Sequence, residues 1–181
     1  MIRIARRMTT TIAGLSVGVA LLAGAAAAEL KVGDKAPDFN MQGSDGKTYT
    51  LEQFRGKSGV VIAWFPKAMT KGCTIECKSL RAHSKELKGL NVAYFTASVD
   101  KPEENKKFAD QLDADYPILS DPDKSVARAY GVLRPDGGFT NRWTFYIDKE
   151  GVIKDIDKQV KVQTAAEDLC AKVKELGLEG K

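Results

Sequence analysis

The sequence predicts an α/β domain in which helices flank a central mixed sheet. Short apolar runs alternate with segments of helical periodicity, and turns rich in Gly, Pro and Asp separate them. Two runs near the C-terminal end flank a Lys-Glu-Gly turn, which predicts a hairpin and therefore some antiparallel pairing. The chain has 181 residues, which is enough for one core of this kind.

The individual elements follow from these patterns. Residues 60–65 (VVIAWF) and 92–97 (VAYFTA) are apolar without alternation, which predicts strands buried on both faces. Residues 143–147 and 152–153 are the two arms of the predicted hairpin. The predicted helices span about residues 73–88, 103–114, 123–130 and 164–177.

The segment 73–88 predicts an amphipathic helix. With Cys73 set at 0° and about 100° per residue, the leucines of this segment form an apolar stripe close to Cys73. Cys77 falls at about 40°, on the same side as Cys73, whereas Lys78 falls at about 140°, on the solvated face. His83, the one histidine of the chain, falls beside the apolar stripe. We expect it to be a packed histidine and not a catalytic one.

Residues 1–28 predict a cleavable export signal, which leaves residues 29–181 as the mature domain. The first ten residues carry three arginines and no acid, and an apolar run of small residues follows and ends in alanines. A membrane anchor is the alternative, but the run is short for a span. Arg6-Arg7 raises the twin-arginine route, and general secretion fits the following residues better. The expected location is the bacterial periplasm, with no stable membrane association after cleavage.

Charge and cysteine count restrict the function further. The export signal holds three of the 28 basic residues and none of the 24 acidic ones, so its removal lowers the net charge from +4 to +1. We therefore expect no nucleic-acid partner. Three cysteines are too few for a disulfide scaffold, and at least one must stay unpaired or pair between chains.

The stretch 66–77 (PKAMTKGCTIEC) carries the candidate chemistry. Cys73 begins the predicted helix, where unpaired backbone N–H groups and the helix dipole favour negative charge. Because the thiolate is the nucleophilic form of cysteine, this position predicts a reactive sulfur. Two small buried residues without chemistry are the alternative interpretation.

Several separated motifs occur in one order along the chain. They are residues 32–39 (VGDKAPDF), the P-x-x-x-T-x-x-C pattern of Pro66, Thr70 and Cys73, and residues 98–100 (SVD), 119–122 (LSDP), 129–132 (AYGV) and 142–145 (RWTF). On these motifs the sequence resembles the peroxiredoxins, specifically the bacterioferritin-comigratory, or Q-type, branch. The resemblance covers nearly all of the mature chain and implies a thioredoxin-like fold.

The resemblance also implies a site and an activity. Cys73 is expected to be the peroxidatic cysteine, which attacks a peroxide and becomes a sulfenic acid. Thr70 is expected to direct its hydroxyl at the peroxide, Pro66 to shield the thiolate from water, and Arg142 to stabilise negative charge. Phe145 and Ile147 follow Arg142, and we expect all three on one strand face. The implied partners are a peroxide substrate, hydrogen peroxide or an organic hydroperoxide, and a thioredoxin-like or other thiol reductant. The resemblance implies no cofactor and no metal, and the branch favours a monomer or a weak dimer.

The spacing of the second cysteine departs from this branch. There, a nearby resolving cysteine usually lies five residues after the peroxidatic one, a position held here by Lys78. Cys77 lies four residues after Cys73 and shares its helix face, so we hypothesise that it resolves the sulfenic acid as an intramolecular disulfide. Side chains at this spacing have Cβ atoms about 5–6 Å apart, whereas a disulfide needs about 3.5–4.5 Å, so the first turn must distort. A one-cysteine mechanism is the alternative.

Cys170 lies on the apolar side of the last predicted helix. We expect it to behave as a small buried hydrophobic residue, and a distant or intermolecular resolving partner is the alternative.

Two other functions fit the cysteine pair less well. A Sco-like copper-delivery protein has Cys-x-x-x-Cys, and two thiolates suit Cu(I), but it also needs a histidine far downstream of the cysteines. His83 lies six residues after Cys77, on the same predicted helix. A thioredoxin-like thiol–disulfide oxidoreductase needs Trp-Cys-x-x-Cys, whereas this chain has Gly-Cys-x-x-x-Cys.

Overall fold

A mixed sheet of seven strands organises residues 29–180, the part of the chain that the computed structural model describes. The predicted export signal, residues 1–28, lies outside the described residues. Within the described part, none of the helices has both the length and the apolar character that a membrane span requires. The strands are β1 (Asn40–Gly43), β2 (Thr48–Thr50), β3 (Val60–Trp64), β4 (Ala93–Ser98), β5 (Ile118–Ser120), β6 (Thr144–Ile147) and β7 (Ile153–Asp157). The helices are α1 (Lys71–Ala82), α2 (Ser84–Gly89), α3 (Pro102–Leu112), α4 (Ser125–Ala129) and α5 (Ala165–Glu175), with a 3₁₀ helix at Leu51–Phe54.

The strand order is β2-β1-β5-β4-β3-β6-β7. The three central strands β5, β4 and β3 run parallel, and the outer pairs are antiparallel. Helices connect the parallel strands, as such crossovers require. This arrangement confirms the predicted α/β class with a mixed sheet and helices on its faces.

Two apolar layers enclose the sheet. All five residues of β3 are buried, because β3 lies at the centre of the sheet and is covered on both sides. Ile62 and Trp64 face a layer that includes residues of α4, while Val61 faces a layer formed with α1, α2, α3 and α5. The uninterrupted apolar runs of the sequence thus correspond to strands buried on both faces, as predicted.

The predicted hairpin is present, because β6 and β7 pair antiparallel across the turn. Three strands were not predicted from the sequence, namely β1, β2 and β5. Each has only three or four residues, which is too short for alternation to stand out.

The helix predicted over 73–88 is in fact two helices. α1 begins at Lys71, two residues earlier than expected, and ends at Ala82, and α2 follows from Ser84 to Gly89. His83 separates them with a non-helical backbone, and its ring Nδ1 lies 3.0 Å from the carbonyl oxygen of Ser79, which also accepts the His83 backbone N–H. The His83 ring therefore turns back onto α1 at the position where helical periodicity predicts that the helix continues.

The pairing of β3 positions the candidate site. β3 runs parallel to β4 and antiparallel to β6, so the end of β3 lies beside the end of β4 and the beginning of β6. The backbone N–H of Trp64 donates to the carbonyl of Trp143 at 2.8 Å, and that of Phe65 donates to the carbonyl of Ala97 at 2.9 Å. The loop that leaves β3 thus emerges between the segments 97–101 and 140–143.

Candidate active site

The loop after β3 leads directly into helix α1 and holds the predicted Pro66 and Thr70. The hydroxyl of Thr140 donates to the carbonyl of Phe65 at 2.7 Å, which fixes the start of the loop. Met69 adopts φ = 63°, a left-handed conformation that is costly for a residue with a side chain. The loop is therefore held in one conformation by its surroundings.

Cys73 lies in the first turn of α1. Thr70 is the N-cap, and its carbonyl accepts the Thr74 N–H at 2.9 Å. Cys73 is therefore the third helical residue, whereas the sequence predicted it as the first. The N–H groups of a first turn have no carbonyl four residues back within the helix, and they favour negative charge nearby. The side chain is 1% exposed, at the rim of the apolar layer under α1.

Arg142 brings a positive charge to the Cys73 sulfur. Its Nη2 donates to Sγ at 3.2 Å across 69 positions of sequence. The guanidinium group also passes close to the helix backbone, since a Cβ at Gly72 would lie 3.4 Å from the same nitrogen. Charge-assisted contacts of this kind stabilise an anionic sulfur more strongly than neutral ones do.

The prediction that Arg142 shares a strand face with Phe145 and Ile147 is wrong. Arg142 precedes β6 by two residues, and Phe145 and Ile147 belong to the layer on the opposite face of the sheet from Cys73. Side chains alternate along an extended chain, so residues three apart point to opposite faces. Arg142 therefore lies on the face of Tyr146, which shares an apolar layer with Cys73.

Glu76 is a component of the site that the sequence analysis missed. It is 1% exposed, and one of its carboxylate oxygens forms a close ion pair with Nη1 of Arg142. Its other oxygen, Oε1, is buried without a hydrogen-bond partner. A signal was available, because the helical map places Glu76 at about 300°, within the apolar stripe. A carboxylate there requires a cation from elsewhere in the fold.

Thr70 is exposed at the mouth of the site, and its hydroxyl donates to the carbonyl of Lys67 at 2.9 Å. With its proton used in this bond, the Thr70 oxygen presents lone pairs, so it can accept a hydrogen bond from a hydroperoxide O–H. Pro66 is half-buried on the same loop, two residues after the end of β3. The structure thus brings Cys73 and Arg142 into contact and places Thr70 and Pro66 on the adjoining loop.

Cys77 lies one helical turn after Cys73 and is fully buried in the same apolar layer. Burial, with a smaller contribution from charge on Cys73, raises the pKa of the Cys77 thiol to about 12. The hydroxyl of Tyr116 donates to the Cys77 carbonyl at 3.0 Å and ties this turn of α1 to the segment before β5. Both cysteines are free thiols. In this reduced conformation Cys77 is therefore protonated and enclosed.

The other two candidates of the sequence lie outside this cluster. Cys170 is buried on α5 in the layer beneath α1, and burial raises its pKa to about 11. His83 is 32% exposed and contacts Glu167 at 3.4 Å, so it is less enclosed than the packed histidine we expected.

The electrostatics of the site differ from those of a copper site. The guanidinium group of Arg142 lies against the Cys73 sulfur and would repel a bound metal cation. Among residues 29–180, no group of three or more His, Cys, Asp and Glu side chains is arranged to hold a metal ion.

The profile of the AhpC/TSA family matches residues 32–156 of this chain. Two curated relatives are similar over most of their length. Alkyl hydroperoxide reductase E of Mycobacterium tuberculosis is 37% identical over 127 residues, which cover 69% of this chain and 83% of that protein. Peroxiredoxin Bcp of Escherichia coli is 37% identical over 133 residues, which cover 70% of this chain and 85% of that protein.

Solved structures agree with this relationship. Peroxidoxin BcpB of Mycobacterium tuberculosis superposes with a TM-score of 0.74 at 30% identity, over 81% of this chain and 98% of that one. The bacterioferritin comigratory protein of Xanthomonas campestris superposes with a TM-score of 0.70 at 26% identity, over 76% of this chain and 90% of that one. The chain therefore belongs to the AhpC/TSA family, and it is a peroxiredoxin, a thiol-dependent peroxidase.

Proposed function

We propose that Cys73 is the peroxidatic nucleophile of this peroxidase and that Arg142 and Thr70 hold the peroxide against it. The observation that carries the proposal is the 3.2 Å contact between Nη2 of Arg142 and Sγ of Cys73 in the first turn of α1. The thiolate attacks one oxygen of ROOH, so that an S–O bond forms and the O–O bond breaks. The sulfur is oxidised by two electrons to a sulfenic acid, and the leaving RO⁻ takes up a proton to become ROH.

The side chains around Cys73 suit this step. The Thr70 oxygen accepts the hydroperoxide O–H, which orients the substrate. Arg142 has two nitrogens engaged, Nη1 with Glu76 and Nη2 with Cys73, so its position is fixed before the substrate arrives. A preorganised cation can stabilise the charge that develops on the leaving oxygen as the O–O bond breaks. Pro66 adds no donor, and we assign it the exclusion of water from the thiolate.

The proposed substrates are hydrogen peroxide and organic hydroperoxides. One similar protein is named alkyl hydroperoxide reductase, and a solved relative is described with an alkyl peroxide reduction activity. Met69 and Thr70 are exposed on the loop next to Cys73, which supports access for both classes.

We assign resolution to Cys77. Its thiolate attacks the sulfur of the Cys73 sulfenic acid, an S–S bond forms, and hydroxide leaves and is protonated to water. Since Cys77 is buried and protonated in the helix, the first turn of α1 must open before this step. A thioredoxin-like or other dithiol then reduces the disulfide by exchange and supplies two electrons. We propose that the protein acts as a monomer or a weak dimer.

The proposed location is the bacterial periplasm, supported by the basic start and small apolar run of residues 1–28. Intact-mass and N-terminal analysis of the protein from a periplasmic extract of a bacterial expression host should find a chain beginning at Glu29. Recovery of the full-length chain in the membrane fraction would contradict cleavage and support an anchor.

Single cysteine variants separate the proposed roles. Cys73→Ser should abolish peroxide consumption, because the nucleophile is lost. Cys77→Ser should complete one turnover but fail to recycle with a thioredoxin-like donor. Cys170→Ser, the matched control, should keep turnover within about twofold of wild type, because its side chain is buried away from the Cys73–Arg142 contact. Stopped-flow peroxide consumption with and without donor measures all three. Full multiple turnover in Cys77→Ser would contradict the resolving role of Cys77.

Removal of the Arg142 cation tests the importance of its contact with the Cys73 sulfur. In Arg142→Met the second-order rate constant with hydrogen peroxide should fall by about 100-fold or more, because a charge-stabilising donor is lost. The rate at which iodoacetamide alkylates Cys73 at pH 7 should fall as well, because the cation beside the sulfur is lost. Arg142→Lys keeps a cation for Glu76, so its rate constant with hydrogen peroxide should lie between those of Arg142→Met and the wild type.

Arg55→Met is the matched control for Arg142→Met, because Arg55 is an exposed arginine paired with Glu52 and Asp38. It should leave both the rate constant with peroxide and the alkylation rate of Cys73 unchanged. An Arg142→Met enzyme with wild-type kinetics would contradict a role of Arg142 in the reaction.

The buried Cys77 thiol predicts a specific pH dependence of stability. An unfolded thiol loses its proton near pH 8.5–9, whereas the folded thiol keeps it up to about pH 12. The unfolded state therefore binds fewer protons in this window, and stability falls as pH rises. Relative to Cys77→Ala under reducing conditions, the free energy of unfolding of the wild type should fall by about 1.5–2 kcal/mol between pH 8 and pH 10. Urea titrations at several pH values measure it, and a difference independent of pH would contradict the burial of this thiol.

A further inference from the structure

A buried carboxylate holds the loop that precedes the proposed nucleophile. Asp100 follows β4, is 3% exposed, and lies beside the loop because β3 and β4 are parallel neighbours. Its Oδ2 accepts the backbone N–H of Ala68 at 2.8 Å, and its Oδ1 forms a close ion pair with the Lys67 ammonium. Two consecutive loop residues are thus attached to one carboxylate.

The carboxylate is itself fixed by a buried network. Oδ2 also accepts the Ser98 hydroxyl at 3.0 Å. The amide of Asn105, which is fully buried on α3, donates to the Ser98 oxygen at 3.1 Å and to the Ser120 oxygen at 2.9 Å. The same amide donates to the Leu119 carbonyl at 3.2 Å. Residues of β4, β5 and α3 therefore hold Asp100 in place through contacts that do not involve the loop.

The loop transmits that position to the active site in three short steps. Asp100 holds Lys67 and Ala68, and the next residue, Met69, takes its strained left-handed conformation. The hydroxyl of Thr70 then donates back to the carbonyl of Lys67. Thr70 is also the N-cap of α1, so it sets where the turn that contains Cys73 begins.

We propose that Asp100 is a positioning residue for the peroxidase reaction, which acts through Lys67 and Ala68 to hold the Thr70 oxygen and the first turn of α1 in their reactive arrangement. This inference rests on the proposed role of Cys73 as nucleophile. Asp100 makes no contact with the peroxide. Its effect is to oppose relaxation of the Met69 backbone, which would shift Thr70 relative to the Cys73 sulfur.

Asp100→Asn is an informative change because it keeps the shape of the side chain. Both carboxylate oxygens accept hydrogen bonds from donors, Oδ1 from Lys67 and Oδ2 from Ala68 and Ser98. In either orientation an amide places its NH₂ group against one of these donors. The variant therefore breaks one side of the attachment while the core around it keeps its volume.

Asp121→Asn is the matched control. Asp121 is also 3% exposed and follows a parallel strand, β5. Its oxygens accept the backbone N–H groups of Ala127 at 2.7 Å and Val126 at 3.4 Å, at the start of α4. The substitution likewise replaces a buried carboxylate that accepts backbone N–H groups, and the neighbouring Asp123 can accept from the new amide. The side-chain hydrogen bonds of Asp121 lead to α4 and not to the loop before Cys73.

The test compares the two variants by three measurements: melting temperature, the second-order rate constant with hydrogen peroxide, and the rate of Cys73 alkylation by iodoacetamide at pH 7. Asp100→Asn should melt below the wild type, because it weakens the attachment of Lys67 and Ala68. Only Asp100→Asn should lose at least about tenfold in the rate constant, since small displacements of reacting groups are costly. Only Asp100→Asn should also lower the alkylation rate, because the first turn of α1 is then held less firmly. Equal kinetic losses in both variants, or none in Asp100→Asn, would overturn the proposal.

Two further variants complete the test. Met69→Gly in the Asp100→Asn background should recover at least about threefold of the lost rate constant, because glycine adopts the left-handed conformation without a Cβ cost. No recovery would overturn the transmission step through Met69. Cys73→Ser separates the two hypotheses: if it still reacts with peroxide, the proposed function fails. If it is inactive while Asp100→Asn matches the control, only the positioning role fails.

Discussion

The ion pair between Arg142 and Glu76 is the constraint on which the active site depends. A carboxylate buried without a cation is strongly destabilising, so a helix that turns Glu76 inward requires a positive group at that point. Arg142 supplies it from the segment before β6, and the same guanidinium group then lies against the Cys73 sulfur. One cation therefore pairs with the buried carboxylate of Glu76 and also places a positive charge beside the sulfur of Cys73, about one turn earlier in α1. Substitution of either ionic partner affects both folding and chemistry.

The two halves of the proposed catalytic cycle make opposite demands on the first turn of α1. Attack on the peroxide benefits from a helix turn that is fixed by Arg142 on one side and by the loop held at Asp100 on the other. The disulfide that we propose between Cys73 and Cys77 requires that turn to open, because side chains four residues apart on a regular helix are too far apart for an S–S bond. Local opening of a single turn is a low-energy event compared with global unfolding. The hydroxyl of Tyr116 donates to the Cys77 carbonyl and attaches the turn after Cys73 to the segment before β5.

Much of the fold follows from patterns that depend on nearest neighbours in the sequence. The central strands β3 and β4 were predictable because burial on both faces demands uninterrupted apolar residues. The short strands β1, β2 and β5 were not, since three or four residues carry no period. The break at His83 was missed because a side chain that bonds back to Ser79 looks the same in the sequence as one that continues a helix. Glu76 was present in the helical map, yet its need for Arg142 became evident only once its burial was known.

The class of the fold, the family resemblance and the residue types of the site could be read from the sequence, because motifs and periodicity are local properties of a chain. Three features needed the folded chain: Arg142 meets Cys73 on the face opposite Phe145, Glu76 is buried with it, and Cys77 is enclosed. They depend on strand pairing. The antiparallel contact of β3 with β6 brings together residues 69 positions apart, and the free energy of that pairing comes from a core to which no single segment contributes enough burial on its own.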